Sequence, residues 1–358
     1  MKKNIKKILL LIVFIAVLSG CSFGAGTDSN DGTTKEYILS QSVWKSTDGG
    51  KNWEAKNKTN EKPAVTDLNV LKIAINPFDN RNIFVGLQNG GMIKTEDGGD
   101  TWKSTIFTSE KVYGLEIDPK DGRTMYVSGV WEDRGKIFKS EDKGENWKEI
   151  YTSPADGPLV IALALDKNNS GVIYAATSDE QVIKSVDAGL SWKNVFSAKE
   201  PVVKIALDKS NSNLLYLLTT GGNVLRSADA GASFEDITAK TSGRFALGGG
   251  NFKALETDPN ISGGVYLAGS RGILKSENAG ETWEKVYALN DPENFPITAF
   301  SVRPGNKSEM IYSTSQAVYR SVDGGVNWST FQFNVPKSIN MIIYDSSDPN
   351  TVYLGFRK

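Results

Sequence analysis

A cation, a hydroxyl, a carboxylate and an indole recur together along this 358-residue chain. The stretch KSTDGGKNW (45–53) returns as KTEDGGDTW (94–102), KSEDKGENW (139–147) and KSVDAGLSW (184–192). It returns again as RSADAGASF (226–234), KSENAGETW (275–283) and RSVDGGVNW (320–328). A serine near an aspartate and a lysine is a set from which nucleophilic or acid–base chemistry is built. The remaining composition withholds the partners such chemistry needs. There is no histidine, which removes the commonest general base, the Ser-His and Cys-His pairs and imidazole zinc sites. There is one cysteine, Cys21, so there is no internal disulfide and no thiolate cluster. No metal site and no cofactor is implied.

Spacing gives the residues a different task. The Asp or Asn positions are 48, 97, 142, 187, 229, 278 and 323, separated by 49, 45, 45, 42, 49 and 45 residues. A period near 45 is that of a propeller or solenoid. In the unit 160–196, apolar runs at 160–165, 172–177, 182–185 and 191–196 are separated by Asn-, Ser- and Gly-bearing turns. Four short runs with turn signals between them predict a four-stranded antiparallel sheet. The first run is the most apolar, as expected of the innermost strand. Nothing in the repeats has helical period. The fold class is therefore all-β: a seven-bladed β-propeller of four-stranded antiparallel blades, its sheet edges hidden by radial repetition.

The ends predict ring closure. Residues 338–344 and 351–355 read as a first and a second strand with no repeat after them, whereas the chain's first repeat brings a third and a fourth. Together they make one blade. Residues 37–41 align with the same second strand, and the place is assigned to the C-terminal segment.

The repeat lies in the turn between the third and fourth strands. Its Asp is expected to accept backbone N–H groups, its Gly at 50, 99, 144, 189, 231, 280 and 325 to take positive φ, and its Trp to bury a ring beside the turn. The stem of the preceding Lys or Arg is expected to cover that ring. The pattern S/T-x-D-x-G-x-x-W resembles the Asp-box, or bacterial neuraminidase repeat, over about residues 40–358. The resemblance implies a structural role at the blade periphery for Asp48, Trp53, Asp97, Trp102, Asp142, Trp147, Asp187, Trp192, Asp229, Phe234, Asn278, Trp283, Asp323 and Trp328. Thr95, Phe234 and Asn278 depart from the pattern, and slightly weaker turns are expected in those boxes.

Ligand recognition is expected on the opposite face, where second-to-third loops meet the connections between blades. The candidates are Trp131, Glu132, Asp133 and Arg134 in a longer loop, Asp156, Arg244 and Phe245 in the long connection 236–251, Arg271, and Phe295. An aromatic beside carboxylates and an arginine suits a sugar or a peptide. Sialidases share the repeat, but their three-arginine clamp and Arg-Ile-Pro motif have no counterpart among the nine arginines here. A xyloglucanase-like hydrolase, using paired carboxylates on a propeller face, is the alternative enzyme. Single-ring relatives of the sortilin and photosystem II assembly factor types imply a non-catalytic binder of protein, peptide or glycan.

Residues 1–20 read as a signal peptide: Lys2, Lys3, Lys6 and Lys7, then an apolar run from 8 to 18. Leu18-Ser-Gly-Cys21 resembles a lipobox, which implies lipidation of Cys21 and an extracytoplasmic protein on a bacterial membrane. Residues 21–36 read as a tether, and 37–358 as the propeller. Without the four leader lysines, the 41 basic residues become 37 against 42 acidic. That balance gives no reason to expect nucleic acid. The expected partners are an envelope protein, peptide or polysaccharide, with membrane contact through the lipid alone and the propeller a monomer.

Overall fold

Runs rich in Val, Ile, Leu and Tyr form strands, and the Gly-, Asn- and Asp-bearing segments between them form turns. The computed structural model describes residues 36–63, 66–107, 111–242 and 252–358. The strands assemble into seven four-stranded antiparallel sheets, the blades. Blade 4 is typical, with strands Val160–Leu165, Ile173–Thr177, Gln181–Ser185 and Lys193–Ser197 paired in chain order. Blades 2 to 7 all run this way. Blade 1 is composite: Ser338–Tyr344 and Val352–Arg357 are followed across the sheet by Val43–Ser46 and Glu54–Ala55. Val43 pairs with Gly355 and Ser46 with Val352, so the two ends of the propeller share one blade, as the repeat predicts.

Tyr37–Ile38 does not compete for that blade. It pairs with Lys58–Thr59 in a separate two-stranded ladder. Residues 56–61 run on along the outer edge of blade 2, where Trp102 donates its backbone N–H to the Lys58 carbonyl at 2.8 Å and its indole N–H to the Lys56 carbonyl at 3.1 Å. An edge strand is thereby covered. Among the described residues the one helical segment is a short 3₁₀ turn, Thr238–Ser242.

The second strand of each blade, not the first, is the most uniformly buried. Ile83–Leu87, Ile173–Thr177, Leu215–Thr219 and Val265–Gly269 are buried at every position. The reason is geometric: the second strand has a strand on each side and a blade over each face, whereas the first borders the central axis. Six second-strand tyrosines, 126, 174, 216, 266, 312 and 353, are fully buried. Burying a large apolar side chain is worth about 1.5–3 kcal/mol, so these rings hold blade to blade.

Candidate functional site

The box is a closed set of hydrogen bonds, the same in all seven turns. The Ser or Thr hydroxyl donates to Oδ1 of the Asp or Asn at 2.6–2.9 Å. It accepts the N–H of the box glycine at 2.8–3.0 Å. Oδ1 also accepts the N–H four residues on at 2.8–3.0 Å. The box glycines have φ from +81° to +98°, and the residue before each is left-handed as well, at +56° to +76°. Asn278 keeps the Oδ1 bonds and turns its Nδ2 to Thr282 Oγ1 at 2.8 Å. The departures at Thr95, Phe234 and Asn278 thus cost the turns none of these bonds. The donors hold the carboxylates low. Asp187 sits at about 2, through the Ser191 hydroxyl first and then its amide. Asp142 sits at about 2 through the amide of Asn146 and then its side chain.

For three of the box lysines the ring beneath the ammonium is not the box indole. Lys45, Lys139 and Lys184 lie instead over second-strand rings, Tyr353, Tyr126 and Tyr174, at 5.5, 6.0 and 5.1 Å. Their reach is toward the next blade. Lys45 donates to the Gly98 carbonyl, Lys184 to Ala230, Arg226 to Ala279 and Arg320 to Gly49. Tyr353 and Tyr174 donate their hydroxyls to the same carbonyls as Lys45 and Lys184. The indole N–H of Trp53, Trp147, Trp283 and Trp328 closes on the carbonyl of its own box glycine.

The first-to-second turns lie on this same face and are equally occupied. In every blade the residue before the box glycine donates its N–H to a carbonyl of that turn, at 2.7–2.9 Å. Buried aspartates at the ends of first strands bridge to the next blade: Asp118 to Ser170, Asp166 to Ser212, Asp208 to Ser262 and Asp345 to Asn80. Asp345 also accepts the Ser347 amide and hydroxyl, so its turn is capped from within.

The opposite face is built by a different device. In six blades the ladder between first and second strands slips near the start of the first, leaving one residue unpaired: Leu71, Tyr113, Ile161, Val203, Lys253 or Asn340. A β-bulge re-aims a side chain out of the sheet's alternation. Leu71 and Tyr113, from blades 2 and 3, help to line a pocket of about 250 Å³ with Gln88, Lys111, Arg357 and Lys358. Lys358 pairs with Asp67 at 2.6 Å. The Arg357 guanidinium makes no hydrogen bond or ion pair within the described residues. A hollow of about 30 Å³ at Leu39, Leu68 and Trp102 has room for little more than a water.

The first strands also carry Lys72, Glu116, Lys204 and Glu256. Lys204 and Glu256 pair at 2.6 Å. The four belong to blades 2, 3, 5 and 6, and Lys72 feels the charges of the other three. Burial pushes the Lys72 ammonium down and the Glu116 carboxyl up. Each keeps some exposed surface.

The family model of sortilin (Sortilin-Vps10; sortilin, neurotensin receptor 3) matches residues 41–153. Among solved structures, a xyloglucanase from Xanthomonas campestris superposes with TM-score 0.65 at 16% identity, covering 81% of this chain and 51% of that one. YCF48 from Cyanidioschyzon merolae superposes with TM-score 0.59 at 16% identity, covering 82% and 97%. These likenesses establish the fold, and the seven identical turns establish the repeat. The chain is an Asp-box β-propeller. In sequence the propeller is also similar to xyloglucanase Xgh74A of Acetivibrio thermocellus, 31% identical over an alignment of 172 residues that covers 35% of this chain and 20% of that protein. An oligoxyloglucan-reducing end-specific xyloglucanase of Emericella nidulans is 30% identical over 92 residues, 24% and 11% of the two chains. The propeller thus matches only a minor part of either curated relative.

The candidate residues of the propeller fall into two groups. Trp131 to Arg134 form the tip of blade 3. The expected longer loop is instead a longer hairpin, Met125–Trp131 against Arg134–Ser140, with Glu132 and Asp133 as a two-residue turn at φ +51° and +58°. Trp131 is half-buried against Phe107 and Phe138, each 5.7 Å away between ring centres. Glu132 pairs with Lys136 at 3.1 Å. Arg134 donates to the Ser153 carbonyl, which draws the hairpin to the turn holding exposed Asp156. The second group is Arg271, paired with Glu293 at 3.0 Å, and Phe295, 56% exposed, in the connection from blade 6 to blade 7. Arg244, Phe245 and Cys21 lie outside the described residues. The pocket residues Lys111, Tyr113 and Arg357 were not among the candidates. Their signal is a break in strand alternation, visible as V-Y-G-L-E-I at 112–117 beside V-L-K-I-A-I at 70–75.

Proposed function

We propose that this Asp-box propeller is a lipid-anchored, extracytoplasmic binding module that holds a protein, peptide or glycan on the face opposite its boxes and performs no catalysis. The observation that supports it is the contrast between faces. On the box face the hydroxyls, carboxylates and cations are spent on the turns and on stitching blade to blade. On the other face a pocket presents an unengaged guanidinium. A structure of YCF48 bound to D1 peptide, similar over 80% of this chain and 93% of that one, gives a peptide-binding precedent on the fold. The anchor rests on the sequence at 18–21.

The test is capture of the full chain from detergent-solubilised membranes, beside Arg134→Ala/Arg271→Ala and a box-face control, Lys51→Ala. Envelope proteins retained by the parent and the control, but lost from the double variant, are the expected result. Partners indifferent to both variants overturn the assignment of the face. Labelling with palmitate is expected in the parent and absent from Cys21→Ser; labelling of both removes the anchor.

A second reading has its own support. The curated sequence relatives named above are xyloglucanases, and a glycoside hydrolase of that type would use paired carboxylates on the propeller face. Reducing ends released from xyloglucan in proportion to added protein would establish it and end the non-catalytic reading.

A further inference from the structure

The pocket between blades 1, 2 and 3 has a lining of one chemical sense. Lys111 opens the first strand of blade 3, and Arg357 closes the second strand of blade 1. Lys358 follows it, and Gln88 stands in the second-to-third turn of blade 2. Two bulges turn Leu71 and Tyr113 into the same space. The side-chain groups are ammonium, guanidinium, amide and phenol. Among the side chains that line it, the acceptor atoms are those of Gln88 and Tyr113. Asp67, the carboxylate at its margin, is already held by Lys337 at 2.7 Å and Lys358 at 2.6 Å.

Such a lining suits a ligand that brings acceptors and no donors. We propose that the pocket binds the carboxylate of an acidic peptide, an aspartyl, glutamyl or C-terminal group, with Arg357 as its principal partner. Guanidinium binds carboxylate in a two-pronged fork, and Lys111 adds a second cation. The space of about 250 Å³ fits one side chain and its flanking backbone. A sugar acid would also bring several hydroxyl donors, for which this lining has few acceptors, and Tyr113 is the one ring on which a sugar could stack. The proposal rests on the binding reading above and names the chemistry of its ligand.

The probe is a fluorescein-labelled hexaglutamate peptide, measured by anisotropy against the full chain in detergent, with a hexaglutamine peptide and a galacturonate hexamer as comparators. Hexaglutamate is expected to bind, to weaken as salt rises, and to exceed hexaglutamine at least tenfold. Arg357→Gln is expected to lower its affinity about tenfold and Lys111→Gln severalfold, with Arg357→Lys between parent and Arg357→Gln. Unchanged melting temperatures separate these losses from misfolding. Equal binding of hexaglutamine overturns the proposal, as does hexaglutamate affinity indifferent to both variants. Tighter binding of the galacturonate, lost in the same variants, moves the carboxylate from a peptide to a glycan and overturns it too. If hexaglutamate fails while face-dependent capture of envelope proteins persists, the ligand chemistry is wrong and the binding reading stands. If both fail, both fall.

Discussion

Lys184 Nζ lies 2.8 Å from the carbonyl oxygen of Ala230, the left-handed residue of the next blade's box, and the Tyr174 hydroxyl reaches the same oxygen at 2.8 Å. One carbonyl thus serves two donors from the neighbouring blade. The box is a turn and also the socket into which the previous blade plugs.

Two donors on one acceptor predict non-additivity. Tyr174→Phe is expected to cost about 1 kcal/mol, and Lys184→Met a similar amount, because either donor alone still satisfies the carbonyl. The double variant is expected to exceed the sum by roughly 1 kcal/mol, since it strands the oxygen between blades. Urea denaturation of the four proteins measures this; strict additivity would refute the shared-acceptor account.

Adjacent left-handed residues in box 4 predict opposite signs. Gly189 has φ +90°, and a methyl added there would stand 2.3 Å from Ile150 Cδ1. Gly189→Ala is expected to destabilise by about 2 kcal/mol or more. Ala188, at φ +58°, already bears the cost of a side chain in this region. Ala188→Gly is expected to stabilise by about 0.5–1 kcal/mol. The two denaturation midpoints should move to either side of the parent.

Stability is expected to depend on acid in a defined window. Asp142, Asp187, Asp229 and Asp323 are held at about 2 in the fold, below an ordinary aspartate. A depressed folded value contributes stability that is complete above the unfolded value, near 4, and is lost as pH falls through about 2. The urea midpoint should be flat from neutrality to about pH 5 and then fall toward pH 2. Asp187→Asn should shrink that fall; an unchanged profile would show that box 4 contributes nothing to it.

Lys337 is expected to matter more than its neighbours. Its side chain is 4% exposed, and Nζ reaches Ser40 Oγ, Ser42 Oγ, the Leu68 carbonyl and Asp67. It gathers the entries to blades 1 and 2. Lys337→Met should cost about 2–3 kcal/mol, toward the low end for a broken buried pair because Asp67 is 47% exposed. Hydrogen exchange should rise first at residues 40–42.

The ring was legible because its construction repeats. Asp187 and Gly189 mean the same thing in box 4 as Asp323 and Gly325 do in box 7, so seven weak turn signals reinforce one another. Closure was legible for the same reason: residues 338–355 and 43–55 are complementary fragments of one unit. The partner of the box cation was not. Nothing local distinguishes Lys184 covering its own Trp192 from Lys184 reaching Ala230, 46 positions away. The buried aspartates 118, 166 and 208 were hidden likewise, since their serine partners belong to the next blade. The pocket was least legible of all. Arg357 and Lys111 are far apart in the chain and meet at the pocket through ring closure, and the bulges that turn Leu71 and Tyr113 into it are slips of one residue that composition does not record.

Blade 1 also fixes when the molecule can be finished. Lys337 and Ser42 meet although 295 positions separate them, and Val43–Ser46 has no second strand to pair with until Val352–Arg357 exists. During synthesis Val43–Ser46 must therefore wait, with one backbone edge unpaired, for Val352–Arg357. Contacts this distant in sequence are the slow ones to form. The interval before closure is when the chain is most open to mispairing with another copy of itself, and a chaperone acting on it would have to hold the first blade rather than the last.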